Sequence, residues 1–236
     1  EAPGGPNHDP QAEPDESPVR EVTVRPFLMA KHECTQAQWA ALTNGERPSA
    51  YGRGAKVGGR EVTDRNPVEN VSWDDATLWL GRHRLRLPSE AEWEYACRAG
   101  TETPWFTGRD VAALGEVANL CDAYCKSHGG HPSWPYTEEV DDAHAVHAPV
   151  GSYRANAFGL FDVHGNVVEW CADWYGSYGD APTDGTARTR QVGASDRVFR
   201  GGCWSNAAVL CRSAYRGGWP PSFRSGYLGF RPAFAP

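Results

Sequence analysis

Residues 19–29 (VREVTVRPFLM) alternate polar and apolar side chains, the period-two pattern of a half-buried strand. Thr35 followed three residues on by Gln38 makes a capping box and predicts a short helix through Leu42. After an irregular, turn-rich stretch over 44–71, Ser72 caps WDDATLWLGRH, in which Trp73, Ala76 and Leu80 share one helical face. In RLPSEAEWEYACRAG, Ser89 and Glu92 form another capping box. Trp93 and Cys97 fall one turn apart there, and Gly100 follows as a C-terminal cap.

The second half is less periodic. Turns and acidic clusters fill 101–160, and no helix is expected there. His164-Gly165-Asn166 reads as a turn before the apolar run VVEWCADWY. RVFRGGCW, CRSAYR and YLGFRPAF read as the closing strands of a sheet, separated by Gly/Pro/Ser-rich turns. Residues 1–18 are rich in Pro, Gly and acids and are expected to be a flexible lead-in. No linker or repeat interrupts 19–236, so a single domain is expected.

Composition sharpens this picture. The 236 residues include 10 Trp, 9 Tyr and 8 Phe but one Met and no Ile, so the core is built from flat rings whose N–H and O–H groups need polar neighbours. With 26 Gly and 18 Pro, a loop-rich domain is favoured over a helical bundle. The net charge of −7 and the absence of a basic stripe argue against nucleic acid as a partner. No apolar run reaches membrane-spanning length. Seven Cys is an odd number, so at least one thiol is unpaired within the chain. The compartment, cytoplasmic or cell-surface, is left open by these features, and a monomer is expected.

The motifs VREVTVRPF…ECTQAQW, NPVENVSWDDA, RLPSEAEWEYACRAG, ANLCD, APVGSYRANAFGLFDVHGNVVEWCADWY, RVFRGGCW and YLGFR occur in an order that resembles the formylglycine-generating enzyme and sulfatase-modifying-factor family. The resemblance implies an α+β, C-type lectin-like fold, loop-rich, with two or three short helices and small antiparallel sheets. The founding enzyme oxidises a cysteine of a sulfatase chain with two thiols that bind copper. On that pattern the second thiol position falls on Cys211 and the first on Asn206, which implies that the chain is not an enzyme. Cys203, in the Gly-Gly-Cys-Trp stretch, is near enough to revive the pair, although packing or a disulfide with Cys211 is the plainer reading. Cys121 and Cys125 are spaced to close a small loop or reach a metal.

The resemblance further implies structural calcium at two loops. One set is Asn119, Leu120, Asp142 and His144; the other is His164, Gly165, Val167 and Glu169, with main-chain carbonyls serving at Leu120, His144, His164, Gly165 and Val167. Glu169, inside VVEWC, needs either a cation or an Arg partner when buried.

The C-terminal run RGGCW–SNAAVL–CRSAYR–GGWP–PSFR–SGY–LGFR also resembles the variable proteins of diversity-generating retroelements. This implies a ligand-binding surface at Ser205, Asn206, Ala207, Val209, Leu210, Tyr215, Gly217, Gly218, Phe223, Ser225, Gly226 and Tyr227, taking a protein or other macromolecular ligand. The implied function is a non-catalytic binding domain, with a copper oxygenase or other oxidoreductase of the family as the alternative.

Overall fold

A computed structural model describes residues 9–190 and 195–235. The lead helices form where their caps predict. Helix α1 (Gln36–Leu42) starts from a Thr35/Gln38 capping box, α2 (Trp73–Arg82) from Ser72/Asp75 and α3 (Glu90–Arg98) from Ser89/Glu92. Each box satisfies backbone N–H groups that a helix start otherwise leaves bare. Helix α1 buries Trp39 edge-on against Phe230, α2 buries Ala76 and Leu80, and α3 buries Trp93, Ala96 and Cys97. The left-handed residue ending α3 is Ala99, at φ 47°, one position before the expected Gly100, which is itself at φ 92°.

Paired strands are short: β1 (Leu28–Met29), β2 (Lys56–Val57), β3 (Arg60–Glu61), β4 (Val168–Trp174), β5 (Arg197–Arg200), β6 (Arg216–Trp219), β7 (Leu228–Gly229) and β8 (Ala233–Phe234). Strands β1 and β8 join the two ends of the chain, and β2 and β3 form a hairpin. The main sheet runs β6-β5-β4-β7 and is mixed, because β4 and β7 are parallel. The other strand pairs are antiparallel, as in the expected small antiparallel sheets, and the β4–β7 pair is the exception.

Three other expectations change. Only Leu28–Met29 of the predicted 19–29 strand pairs with another strand. The CRSAYR segment does not open a strand: it begins where the 3-10 turn Ala208–Cys211 ends, and β6 starts only at Arg216. The region 101–160 contains a 3-10 turn (Val111–Glu116) and a one-turn helix α4 (Ala123–Ser127) capped by Asp122, too short to show a period.

The core answers the aromatic composition. Indole N–H groups of Trp73, Trp170 and Trp105 donate to the carbonyls of Cys171, Val71 and Ala208, at 2.9, 3.0 and 3.3 Å. The lead-in expected to be flexible is docked from residue 9 onward, and Glu16 is buried. Residues 1–8 of that stretch lie outside the described residues. Among the described residues no helix is long and apolar enough to cross a membrane.

Candidate functional site

Strand β5 delivers the chain into a turn that only glycine accommodates. Gly201 and Gly202 have φ 97° and 71°, and a Cβ on Gly202 would lie 2.5 Å from the Cys211 sulfur and 2.7 Å from the Leu210 carbonyl oxygen. The close approach brings Cys203 and Cys211 into one wall. The Cys203 sulfur lies 3.2 Å from both Ser205 Oγ and Asn206 Oδ1, so Asn206 is a hydrogen-bond partner of a thiol. All seven cysteines are free and buried. Burial pushes the Cys203 thiol up to about 11, and it pushes Cys211 further, with the Cys203 sulfur adding to the effect.

All twelve positions of the expected ligand surface are half-buried. They divide into groups. Trp219 stacks on Phe199 with centroids 3.9 Å apart, and Phe223 and Tyr227 pack on Trp219 at 5.0 and 5.8 Å. Trp204, itself buried, makes edge contacts with Tyr51 and Trp134 at 5.5 and 5.7 Å and reaches the Gly226 carbonyl at 3.4 Å. Burial raises the Tyr215 hydroxyl pKa, and the acidic residues Asp15 and Glu13 of the docked N-terminal segment add to it. Gly217 leaves no room for a side chain, since a Cβ there would run into the Phe199 ring.

The two expected calcium loops differ. Glu169, buried on β4, receives Arg231 Nη2 on one oxygen at 2.5 Å and Arg231 Nε and Trp93 Nε1 on the other at 2.7 and 2.8 Å. The guanidinium supplies the charge that a cation would have supplied, so the set His164, Gly165, Val167 and Glu169 does not fit calcium. The His164 ring, which that set would not have used, accepts the Phe106 N–H at Nε2 at 3.1 Å, and its Nδ1 lies 2.8 Å from the Cys211 carbonyl. Burial holds its pKa down to about 3.

At the other loop, Asp142 accepts the Leu120 and His144 N–H groups at 2.8 and 2.9 Å, while Asp122 accepts those of Cys125 and Asp142. Both carboxylates are buried, and neither has an ion-pair partner among the described residues. Burial, then Asp122, raises Asp142 to about 8. Asn119 Oδ1 in the same stretch is buried without a hydrogen-bond partner. Two unneutralised carboxylates and an orphaned amide oxygen are a donor set that fits a hard cation. No group of three or more His, Cys, Asp or Glu among the described residues forms a metal cage, so backbone and amide oxygens would have to complete it.

Sequence reasoning missed the third feature. The docked segment places Glu16 in a two-pronged bridge to Arg212 at 2.6 and 2.7 Å, and Asp9 joins it at 2.9 Å. The Tyr175 hydroxyl donates to Asp15. Between this segment and α3 lies a cavity of about 500 Å³ lined by Glu16, Val19, Glu90, Glu94, Arg98 and Tyr178 among others. Two arginines in a CRSAYR stretch and a run of acids at the chain's start were the available signal.

Residues 2–235 match the model of the sulfatase-modifying factor enzyme 1-like domain. The chain belongs to the formylglycine-generating enzyme family. It is 34% identical to the formylglycine-generating enzyme of Streptomyces coelicolor, over 92% of this chain and 80% of that protein. It is 30% identical to the enzyme of the same name from Thermomonospora curvata, over 99% and 90% respectively. Among solved structures it is similar to PvdO from Pseudomonas aeruginosa, with TM-score 0.76 and 29% identity over 97% of this chain and 88% of that one. Treponema denticola variable protein 1 is also similar, with TM-score 0.74 and 26% identity over 91% and 86%. The inference from Asn206 that the chain is not an enzyme is overturned by relatives this similar that carry an enzyme's name.

Proposed function

We propose that the chain is an oxidoreductase of the formylglycine-generating type that oxidises a cysteine in a polypeptide laid across the half-buried surface over residues 205–227. The observation that carries this reading is the placement of Cys203 and Cys211 on either side of the tight Gly202 turn, with the Cys203 sulfur against Ser205 and Asn206 of that surface. Thiols are the soft donors that monovalent copper takes, so Cys203 and Cys211 would hold the ion. Bound there, copper supplies the electrons that activate oxygen. The protein's own contribution is positional. Gly202 leaves room for the Cys211 sulfur, and Ser205 and Asn206 orient the Cys203 thiol. The aromatic group of Trp219, Phe223 and Tyr227 offers apolar contact for the peptide. Calcium at Asn119, Leu120, Asp142 and His144 would neutralise the acidic loop that abuts this wall through the Cys121 N–H to Asn206 carbonyl bond of 2.8 Å.

The experiment is to incubate the protein with copper, oxygen, a reductant and a Cys-x-Pro-x-Arg peptide and to weigh the product. Aldehyde formation supports the reading. Peptide that binds but is recovered unchanged sinks it.

A further inference from the structure

Arg200, Arg212 and Arg216 are all buried in ion pairs, but their partners differ in kind. Arg200 and Arg216 take carboxylates from the framework helix α3, Glu94 and Glu90 at 2.5 and 2.7 Å. Arg212 does not. Among the described residues its two terminal nitrogens bond to the N-terminal segment alone. Nη1 donates to Asp9 at 2.9 Å and to Glu16 at 2.7 Å, and Nη2 donates to the second Glu16 oxygen at 2.6 Å. Its Nε donates to the Val209 carbonyl at 2.8 Å, which fixes the guanidinium plane from the body of the domain. A planar fork held in this way receives a carboxylate on both prongs.

The segment that supplies these carboxylates buries no apolar side chain. Over residues 9–18 Glu16 is the one buried residue, 10–14 and 17–18 are exposed, and none belongs to an apolar core cluster. Asp15 adds two polar contacts: its side chain accepts from the Tyr175 hydroxyl, and its carbonyl accepts from Arg216 Nη1 at 3.3 Å. Further on, the chain is anchored by Arg20 to the Ala181 carbonyl at 2.6 Å and by Thr23 N–H to the Thr183 carbonyl at 2.9 Å. The cavity of about 500 Å³ between the segment and α3 leaves part of its inner side unpacked. A stretch held by charge and hydrogen bonds over an open cavity can lift ahead of Arg20 while the core stays folded.

We propose that Arg212, flanked by Arg216 and Tyr175, is a docking notch for an acidic peptide segment of a partner, and that residues 9–16 occupy it in cis until that segment displaces them. The chain's own acidic run shows the chemistry that fits: a carboxylate gripped by both prongs, with further acids on either side. Lifting the run bares a buried guanidinium, so the notch is stable only when acids fill it, from the chain itself or from a partner. Arg212 follows Cys211 directly and lies within 205–227. A polypeptide with acids beside its cysteine would therefore be anchored at the thiol end of that surface. This consequence rests on the proposed function, whereas the notch needs neither copper nor turnover.

The test titrates a fluorescent peptide with the sequence of residues 9–18 against the wild type and the double variant Asp9→Asn/Glu16→Gln, by anisotropy. A control peptide carries Asn or Gln in place of Asp9, Glu13, Asp15 and Glu16. A tethered segment competes at an effective concentration on the order of mM, so the variant is expected to bind the acidic peptide at least about tenfold more tightly than the wild type. Neither protein is expected to bind the control, and the acidic peptide is expected to raise the variant's melting temperature. A folded variant that binds neither peptide, or both alike, overturns the proposal. Equal affinity of wild type and variant for the acidic peptide overturns it as well. Should the variant fail to fold, hydrogen exchange of the wild type decides. Excess acidic peptide is expected to speed exchange across residues 10–18 with core amides unchanged, and unaltered rates overturn the proposal. Absence of aldehyde in the turnover assay leaves all of these outcomes readable.

Discussion

At the scale of single residues, charge burial governs this protein. Glu169 and Arg231 are both fully enclosed, and removing one partner strands the other's charge. Arg231→Met is therefore expected to cost about 3–5 kcal/mol, read from urea denaturation. His164 gives a pH signature. Its pKa is held at about 3 in the fold against an ordinary 6.5, so the folded protein keeps it neutral while the unfolded chain protonates. Its stabilising contribution is complete above pH 6.5 and is lost as pH falls from there toward 3, at most at about 1.4 kcal/mol per pH unit. Asp162 and Asp173, both raised to about 6 mainly by burial, act in the opposite sense between their ordinary value near 3.8 and pH 6. The wild-type profile is thus flattened, and the difference between wild type and His164→Asn isolates the histidine. A difference that does not change between pH 4 and 7 would contradict this assignment.

At the scale of elements, what was local in sequence was legible. The boxes Thr35/Gln38 and Ser89/Glu92 announced α1 and α3, because capping is settled within four residues. The strand expected over 19–29 was not, because alternation says nothing about whether a partner edge is available, and only Leu28–Met29 finds one. The calcium loops show the same divide. A buried Glu169 required either a cation or an arginine, and the choice depended on Arg231, 62 residues away. The ligand surface can be tested ring by ring. Trp204 is 5% exposed and central to the packing, so Trp204→Ala should cost roughly 3–5 kcal/mol. Phe223→Ala and Tyr227→Ala remove half-buried rings and should cost roughly 1 kcal/mol each. Equal losses at all three would make these rings core; as peptide-contacting rings, Phe223 and Tyr227 changed to Ala should lower peptide affinity while the fold is retained.

At the scale of the whole molecule, distant segments converge on a few charged centres. The N-terminal acids close over Arg212, and the loops carrying Asp122 and Asp142 meet beside the cysteine wall. Family resemblance was readable from motif order, whereas this convergence was not, since it joins residues 16 and 212 or 121 and 206. If calcium occupies the Asp142 loop, chelation should lower the melting temperature and calcium should restore it, with about 2.7 kcal/mol regained at a hundredfold excess over Kd. Asp142→Asn should abolish that response, and a melting curve indifferent to chelator would remove calcium from the account.

The central claim is that Cys203 and Cys211 together hold the ion that oxidises a peptide bound at the 205–227 surface. It is tested most directly by turnover of the Cys-x-Pro-x-Arg peptide in wild type, Cys203→Ser and Cys211→Ser, with circular dichroism and peptide affinity measured on each. The account predicts aldehyde from the wild type and its loss in both variants, with fold and affinity retained. Aldehyde at the wild-type rate in either variant, or none from a wild type that binds copper and peptide, would contradict it.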